Sequence, residues 1–276
     1  MMKHWFITGI SSGLGKALAE AVIKSGDFVI GTFRKEEQVS TFNKTNSGKG
    51  FAIQLDISNE DEIEKAVETI KAKFKTIDVL VNNAGVGFVG AVEESSSFEV
   101  RQVFESNFFG TLKLTQCILP LMRKQKSGHI IQISSHGGIK AFAGFGIYNA
   151  SKFALEGFSE AMAQEVAPLG IKVTIVQPGP FRTNFASSKL GEAEQEIEDY
   201  AETAGAFRTK LKSVDGKQEG DPVKASEAII NSVNSENSTL RLPLGKVALM
   251  TIGMKLDSVR ADLEANREIA EGAVFN

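Results

Sequence analysis

Short, continuously apolar runs alternate along this chain with longer amphipathic stretches, and few folds accommodate that rhythm. Residues 5–8, 28–33, 51–56, 77–82, 129–134 and 172–177 are mostly β-branched or aromatic, as expected of strands buried on both faces. Residues 240–244 are a weaker seventh candidate. Helical periodicity fills the gaps, for example over 14–24 and 60–74. In the latter, Ile63, Ala66, Val67 and Ile70 share one face opposite the charges. Strand followed by helix, repeated this regularly, predicts an α/β fold: a doubly wound, Rossmann-type parallel sheet of about seven strands. Right-handed crossovers would then lay helices on both faces.

A fold of this kind needs no second domain at 276 residues, so residues 1–276 are expected to form one domain. Residues 187–220 interrupt the rhythm. They are charged, rich in small residues, and follow the sixth strand and Pro178-Gly179-Pro180. They read as surface helices and not as sheet, in the place where a substrate lid would sit. Asp221-Pro222 then restarts an ordinary helix, with Asp as N-cap and Pro in the first turn.

Composition excludes several classes. A net charge of −3 offers no electrostatic case for nucleic acid or an anionic membrane. The single cysteine, Cys117, cannot form an internal disulfide and sits in an apolar helical run, as a small core residue would. The opening run is too short for a signal peptide, and no run approaches the ~18 apolar residues of a membrane span. The expected location is the cytoplasm. Cys, His and carboxylates nowhere cluster at metal-ligand spacing, so no metal is expected.

The first strand leads into Thr8-Gly9-Ile10-Ser11-Ser12-Gly13-Leu14-Gly15 and at once into a helix. Missing side chains let a backbone approach a pyrophosphate, and the helix N-terminus turns its N–H groups toward the anion. The spacing is G-x-x-x-G-x-G, not the G-x-G-x-x-G of the dinucleotide fingerprint, so position along the chain carries this argument. The end of the second strand selects between cofactors. NAD sites commonly place an acid there, but this chain reads Phe33-Arg34-Lys35. Arg34 could pair with a 2′-phosphate in fork geometry, which favours NADP(H), with NAD(H) as the alternative. Arg34 and Lys35 could equally begin a solvated helix.

Tyr148 and Lys152 lie four residues apart, on one face if the segment is helical. Thirteen residues before Tyr148, Ser135 ends the fifth strand, and open α/β sheets bind ligands outside the carboxyl ends of their strands.

With these residues in order, the chain resembles the short-chain dehydrogenase/reductase family in its compact form, over residues 5 to about 183. The motifs are Thr8-Gly9-x-x-x-Gly13-x-Gly15, Asn82-Asn83-Ala84-Gly85, Asn107, Ser135, Tyr148-x-x-x-Lys152 and Pro178-Gly179. More loosely, it is similar to bacterial members grouped with hydroxysteroid and retinol dehydrogenases. The resemblance implies a catalytic set of Asn107, Ser135, Tyr148 and Lys152. Tyr148 would be the acid/base, and Lys152 would lower its pKa and hold the ribose. Ser135 would donate to the substrate oxygen, and Asn107 would hold a water that relays protons to Lys152. Asn107 alone would read as a helix-bending polar residue. Cofactor contacts would come from Gly9, Ser11, Ser12, Gly13, Leu14, Gly15 and Arg34. Asp56 and Ile57 would flank the adenine, and Asn83, Ala84 and Gly85 would line its ribose. Pro178 and Gly179 would precede Phe181 and Thr183 beside the carboxamide. Asp56 could also be a solvated strand-end residue, and Ser134 adjoins Ser135, so the register of the serine needs testing.

Nineteen phenylalanines are many for this length. Phe88, Phe142, Phe145, Phe181 and Phe185 could wall a site for a hydrophobic ketone or alcohol, although core packing accounts for part of them. Arg182 and Arg208 are the cations near enough in sequence to matter, and His136 adjoins Ser135. Two rival functions share the fold. A cofactor-binding regulator would usually have lost the acid or its lysine, and an epimerase would usually carry a larger C-terminal domain. A homodimer or homotetramer is expected, through helices near 98–124 and 148–168, with Phe108, Phe109, Leu155 and Phe158 serving either that contact or the core.

Overall fold

In the computed structural model, residues 2–185 and 190–275 are described. Seven parallel strands form one sheet in the order β3-β2-β1-β4-β6-β7-β9. The chain runs β1 (His4–Ile7), α1 (Gly13–Lys24), β2 (Phe28–Phe33), α2 (Glu36–Thr45), β3 (Gly50–Gln54), α3 (Glu60–Lys73) and β4 (Val79–Asn82). It continues through β5 (Gly87–Val89), α4 (Ser97–Phe104), α5 (Gly110–Gln125), β6 (Gly128–Ile133), α6 (Gly146–Val166) and β7 (Ile171–Pro178). The last part holds β8 (Leu190–Glu192), α7 (Ala206–Ser213), α8 (Pro222–Asn234), β9 (Arg241–Leu244), α9 (Lys246–Ala265) and α10 (Arg267–Gly272). All seven expected strands are present, with bounds shifted by a residue or two, and the weak seventh candidate is the edge strand β9.

Period-two alternation in the strands divides the core between the two faces of the sheet. Ile7, Val29, Ile131 and Val176 face one way, onto Leu18 and Val22 of α1 and Ile229 of α8. Phe6, Ile30, Leu80 and Ile130 face the other, onto Ile63 of α3, Leu114 and Ile118 of α5 and Met162 of α6. The helix starts follow their sequence signals. Asn59 accepts from Glu62 N at the start of α3, and Asp221 Oδ1 accepts from Val223 N at 2.8 Å at the start of α8.

One expectation needs correction. The segment after β7 is not only surface helix. Leu190–Glu192 forms β8 and pairs in parallel with β5, followed by a 3₁₀ turn at Glu198–Tyr200, a π turn at Ala201–Gly205, and α7. A three-residue strand among charged residues leaves no periodic signal, and its partner lies about a hundred residues earlier. Residues 187–189 of the expected lid lie outside the described residues. Leu155, offered as an association residue, is 1% exposed and belongs to the core, whereas Phe98, Phe109 and Phe153 are exposed.

Candidate active site

The sheet order reverses beside β1, whose neighbours are β2 and β4, and a crevice opens at the strand C-termini there. The glycine turn at the end of β1 is held by short-range geometry. Gly9 and Gly13 have φ of +69° and +60°, conformations that side chains disfavour. A Cβ on Gly15 would collide with the Asn83 amide and stand 2.6 Å from Gly9 O. Thr8 Oγ1 accepts from the backbone N of Asn83 and of Ala84, both at 2.9 Å. Asn83 Nδ2 returns a bond to Thr8 O at 2.8 Å. Thr32 Oγ1 accepts from Gly9 N at 2.9 Å, which ties β2 into the same turn. Thr8 and Thr32 were not singled out from sequence, since threonine in a strand carries no site signal.

This turn fits a bound pyrophosphate. The side chain of Ser12, the N-cap of α1, makes no capping bond, and the first turn of α1 contains no acid. Its N–H groups and positive dipole end are therefore uncompensated by the chain itself. Thr183 approaches the turn from the other side, its Cβ 3.4 Å from where a Gly13 Cβ would stand. Arg34 is exposed at the end of β2 and its guanidinium has no partner among the described residues, while its carbonyl accepts from Gln54 Nε2 at 3.0 Å. Asp56 is half-buried and caps its own turn, accepting from Ser58 N and Oγ, and Ile57 is buried. The ring of Phe181 packs against Gly220 and the core.

The candidate catalytic residues converge across three elements. Tyr148 and Lys152 sit one turn apart on α6 and are 4% and 6% exposed. Ser135, in the loop after β6, is within hydrogen-bonding reach of the Tyr148 phenol. Neighbouring Ser134 turns the other way, toward Gly138 and Glu156. Lys152 Nζ donates to Ile133 O at 2.9 Å. Asn107 occupies a π turn, Glu105–Phe109, between α4 and α5, an irregularity often found at functional sites. Its side chain is fully used: Oδ1 accepts from Val86 N at 2.8 Å, and Nδ2 donates to Val86 O and to Ser151 Oγ. A Cβ on Gly85 would stand 2.9 Å from Asn107 Oδ1 and 3.7 Å from Lys152 Nζ, so this glycine lets the two elements meet. Asn149, unnoticed in the sequence, accepts from Phe142 N and donates to Gly137 O, and so fixes the loop between Ser135 and Tyr148.

Burial pushes the Tyr148 phenol up to about 12, with the Ser135 bond pulling the other way. Burial likewise pushes the Lys152 ammonium down to about 8, and Glu156 opposes that fall. The protein alone therefore does not lower the phenol's pKa. Desolvation outweighs an ammonium whose Nζ lies 6.0 Å from the ring centre.

Aromatic rings enclose the phenol. Phe145 and Phe185 lie 4.5 and 5.6 Å from Tyr148 between ring centres, and Phe207 of α7 stacks on Phe142 at 6.3 Å. A groove of about 570 Å³, lined by Ala141, Phe142, Ala143, Ala206 and Phe207 with Glu202, Thr203 and Lys210, continues from these rings. Phe88 and Phe181, also expected there, pack elsewhere. Arg208 is buried and neutralised by Glu94 at 3.2 Å and Glu196 at 2.8 Å, with Glu192 at 3.7 Å, so it is no receptor for a substrate carboxylate. Burial pushes the His136 pKa down. Its Nδ1 pairs with Thr251 Oγ1 of α9, and its ring leans on Phe142. Among the described residues no three His, Cys, Asp or Glu side chains group as a metal site, and no helix is long and apolar enough to cross a membrane.

Comparison with known proteins agrees with this arrangement. A family model described as short chain dehydrogenase matches residues 3–194. A 3-ketodihydrosphingosine reductase of Bacteroides thetaiotaomicron is 40% identical, over 87% of this chain and 86% of its own. An oxidoreductase of Botryotinia fuckeliana is 38% identical over 98% of each chain. A crystal structure of a short-chain dehydrogenase from Streptomyces avermitilis superposes with a TM-score of 0.94 at 43% identity, covering both chains completely.

Proposed function

The chain belongs to the short-chain dehydrogenase family and is an oxidoreductase of CH–OH/C=O pairs; from that premise we propose an NADP(H)-dependent reductase or dehydrogenase of a hydrophobic carbonyl/alcohol substrate. The observation that carries this reading is a buried phenol, Tyr148, with the Ser135 hydroxyl beside it, Lys152 one turn away, and Phe145 and Phe185 around it.

The cofactor would lie from the Gly9–Gly15 turn, which would take its pyrophosphate, to Lys152, which would hold the nicotinamide ribose. Arg34, free and exposed, would take the 2′-phosphate. A bound reduced nicotinamide supplies hydride to the carbonyl carbon. Ser135 donates a hydrogen bond to the substrate oxygen as negative charge builds there. Tyr148 gives its phenolic proton to that oxygen in reduction, and its phenolate takes the proton back in oxidation. Burial, holding the phenol near pKa 12, keeps it protonated in the protein alone, so Lys152 and the bound cofactor would have to ease its ionisation for it to give up that proton. Lys152 stabilises the phenolate left behind. Asn107 anchors the backbone of Val86 and would keep the π turn open for a proton-relaying water. Phe145, Phe185 and the groove toward Phe142 and Phe207 exclude water and favour an apolar substrate. The name of the Bacteroides relative specifies a keto substrate, in keeping with the reductive direction.

One domain with residues 190–220 as its substrate lid, a cytoplasmic setting and a homo-oligomer complete this reading. The last draws on exposed Phe98, Phe109 and Phe153 on α4, in the π turn and on α6. The rival of a regulator without activity has no observation in its favour, since Ser135, Tyr148 and Lys152 are all present. The test is a panel of hydrophobic ketones, aldehydes and alcohols followed by NADPH absorbance, with Ser134→Ala and Ser135→Ala in parallel. Turnover lost in Ser135→Ala and kept in Ser134→Ala is expected. No cofactor oxidation with any carbonyl, despite tight NADPH binding, would transfer the case to the regulator.

A further inference from the structure

Near its end the chain outruns the body that supports it. α9 covers Lys246–Ala265, and its buried residues, Ala248 and Thr251, both lie in the first two turns. Thr251 Oγ1 ties that end of the helix to the His136 ring. From Leu256 to Phe275 every residue is exposed, through the rest of α9 and all of α10. The second half of α9 therefore stands clear of the core, and isolated helices shorter than about 12–15 residues are marginal in water.

This free half is patterned. Leu249, Ile252, Leu256, Val259 and Leu263 recur at alternating intervals of three and four residues, the a/d spacing of a coiled-coil seam. The a positions, Leu249, Leu256 and Leu263, are 62%, 56% and 68% exposed. A lipid surface fits the helix poorly. Interfacial helices carry an excess of Lys and Arg, whereas residues 246–272 hold four cations against five carboxylates.

Charges beside the seam select the partner and its direction. Lys255 and Asp262 occupy successive g positions, and Arg260 an e position. Between antiparallel copies of α9, Leu256 meets Val259 of the partner subunit and Ile252 meets Leu263 of the partner subunit. Lys255 then lies beside Asp262 of the partner subunit, and the two-fold axis repeats the pair. A parallel alignment would instead set Lys255 against Arg260 of the partner subunit, cation on cation. It would also call on Arg267 to balance Asp262, but Arg267 lies past the break at Asn266 and is engaged by Glu264 and Glu271.

We propose that α9 is a self-association site, pairing antiparallel along the seam from Leu249 to Leu263 with α9 of a second copy. The proposal goes beyond the hydride-transfer reading and does not rest on it. Two heptads are short for a free coiled coil, so this contact adds to the one through Phe98, Phe109 and Phe153 and does not replace it.

The experiment measures the mass of the full-length protein by light scattering over a concentration series. Leu256→Glu/Leu263→Glu, which alters exposed residues and leaves the core intact, is expected to halve that mass and to weaken association about a hundredfold or more. Lys255→Asp is expected to weaken it about fivefold, and adding Asp262→Lys to restore it. Oxidation of cysteine variants, made in a Cys117→Ser background, reads the direction. Ile252→Cys/Leu263→Cys forms a covalent dimer when the helices are antiparallel, whereas Leu263→Cys alone does so only when they are parallel. An unchanged mass in Leu256→Glu/Leu263→Glu, a single-chain mass for the unaltered protein, or a covalent dimer of Leu263→Cys alone overturns the proposal. Sedimentation of the unaltered protein, but not of Leu256→Glu/Leu263→Glu, with phosphatidylcholine–phosphatidylserine vesicles at equal masses also overturns it and assigns the stripe to lipid. If Leu256→Glu/Leu263→Glu does not fold, failure of Asp262→Lys to rescue Lys255→Asp overturns it instead.

Discussion

The two walls of the Tyr148 pocket are built by different means. At the glycine turn, Gly9, Gly13 and Gly15 are required by backbone conformation and by the approach of Asn83, and the bonds that hold the turn come from the uncharged Thr8, Thr32 and Asn83. On the opposite side, α7 and the turns before it are tied on by charge. Arg208 binds Glu94, Glu192 and Glu196, Tyr200 donates to Glu93 at 2.6 Å, and Lys212 pairs with Glu192 at 2.9 Å. The glycine turn leaves no room for an added side chain at Gly15. The other wall tolerates shape changes at its surface but depends on a buried ion pair.

On the proposed reading hydride transfer needs both walls, and removing the group between them has the largest expected effect. Tyr148→Phe should lower turnover about 10³-fold, roughly 4 kcal/mol in barrier height, with NADPH affinity retained. Turnover is read from NADPH absorbance and affinity from cofactor fluorescence.

Next comes the latch. Arg208→Met strands Glu94 in the interior and should cost about 3–5 kcal/mol, seen as early proteolysis within 190–213. Acid should have a related effect. Although burial opposes it, the amides of Ile197 and Ala91 and the guanidinium of Arg208 hold Glu94 below the usual carboxylate range. Its folded pKa is thus lower than its unfolded one. The stability it contributes is complete above the unfolded value and is lost as pH falls through the folded value. Amide protection in α7, relative to the intrinsic exchange rate at each pH, should therefore fall on acidification before protection in α1 does. An equal fall in both helices would break the comparison.

Two smaller effects sharpen the cofactor side. Arg34→Asp should reduce the preference for NADPH over NADH by about 1.5–3 kcal/mol, roughly ten- to a hundredfold in relative Kd. Gly15→Ala should cost about 1–3 kcal/mol through crowding of Asn83 and Gly9. It should also weaken cofactor binding while leaving proteolysis of 190–213 unchanged.

The difference between the walls also explains which parts were legible in the sequence. Seven strands, the glycine turn and the Tyr148–Lys152 pair are local patterns, recoverable because period, spacing and chain order encode them. β8 was invisible because three residues hold no period and their partner β5 is far away. Phe181 was offered for an apolar wall of the site, yet its ring turns to the core, since apolar residues carry no label for the surface they join. Glu156 looked like any helix carboxylate, for nothing in the sequence around it says that Gln177 and Arg241 would bury it.

The alternation of strand and helix, with glycine where the backbone must turn tightly, determined by itself that this chain forms a doubly wound sheet with a glycine turn at the end of β1. Tertiary structure alone decided the charge states of Tyr148 and Lys152. A pKa depends on burial and on neighbours that arrive from distant strands, so a tyrosine raised to about 12 and a lysine lowered to about 8 exist only once α6 has packed against the sheet.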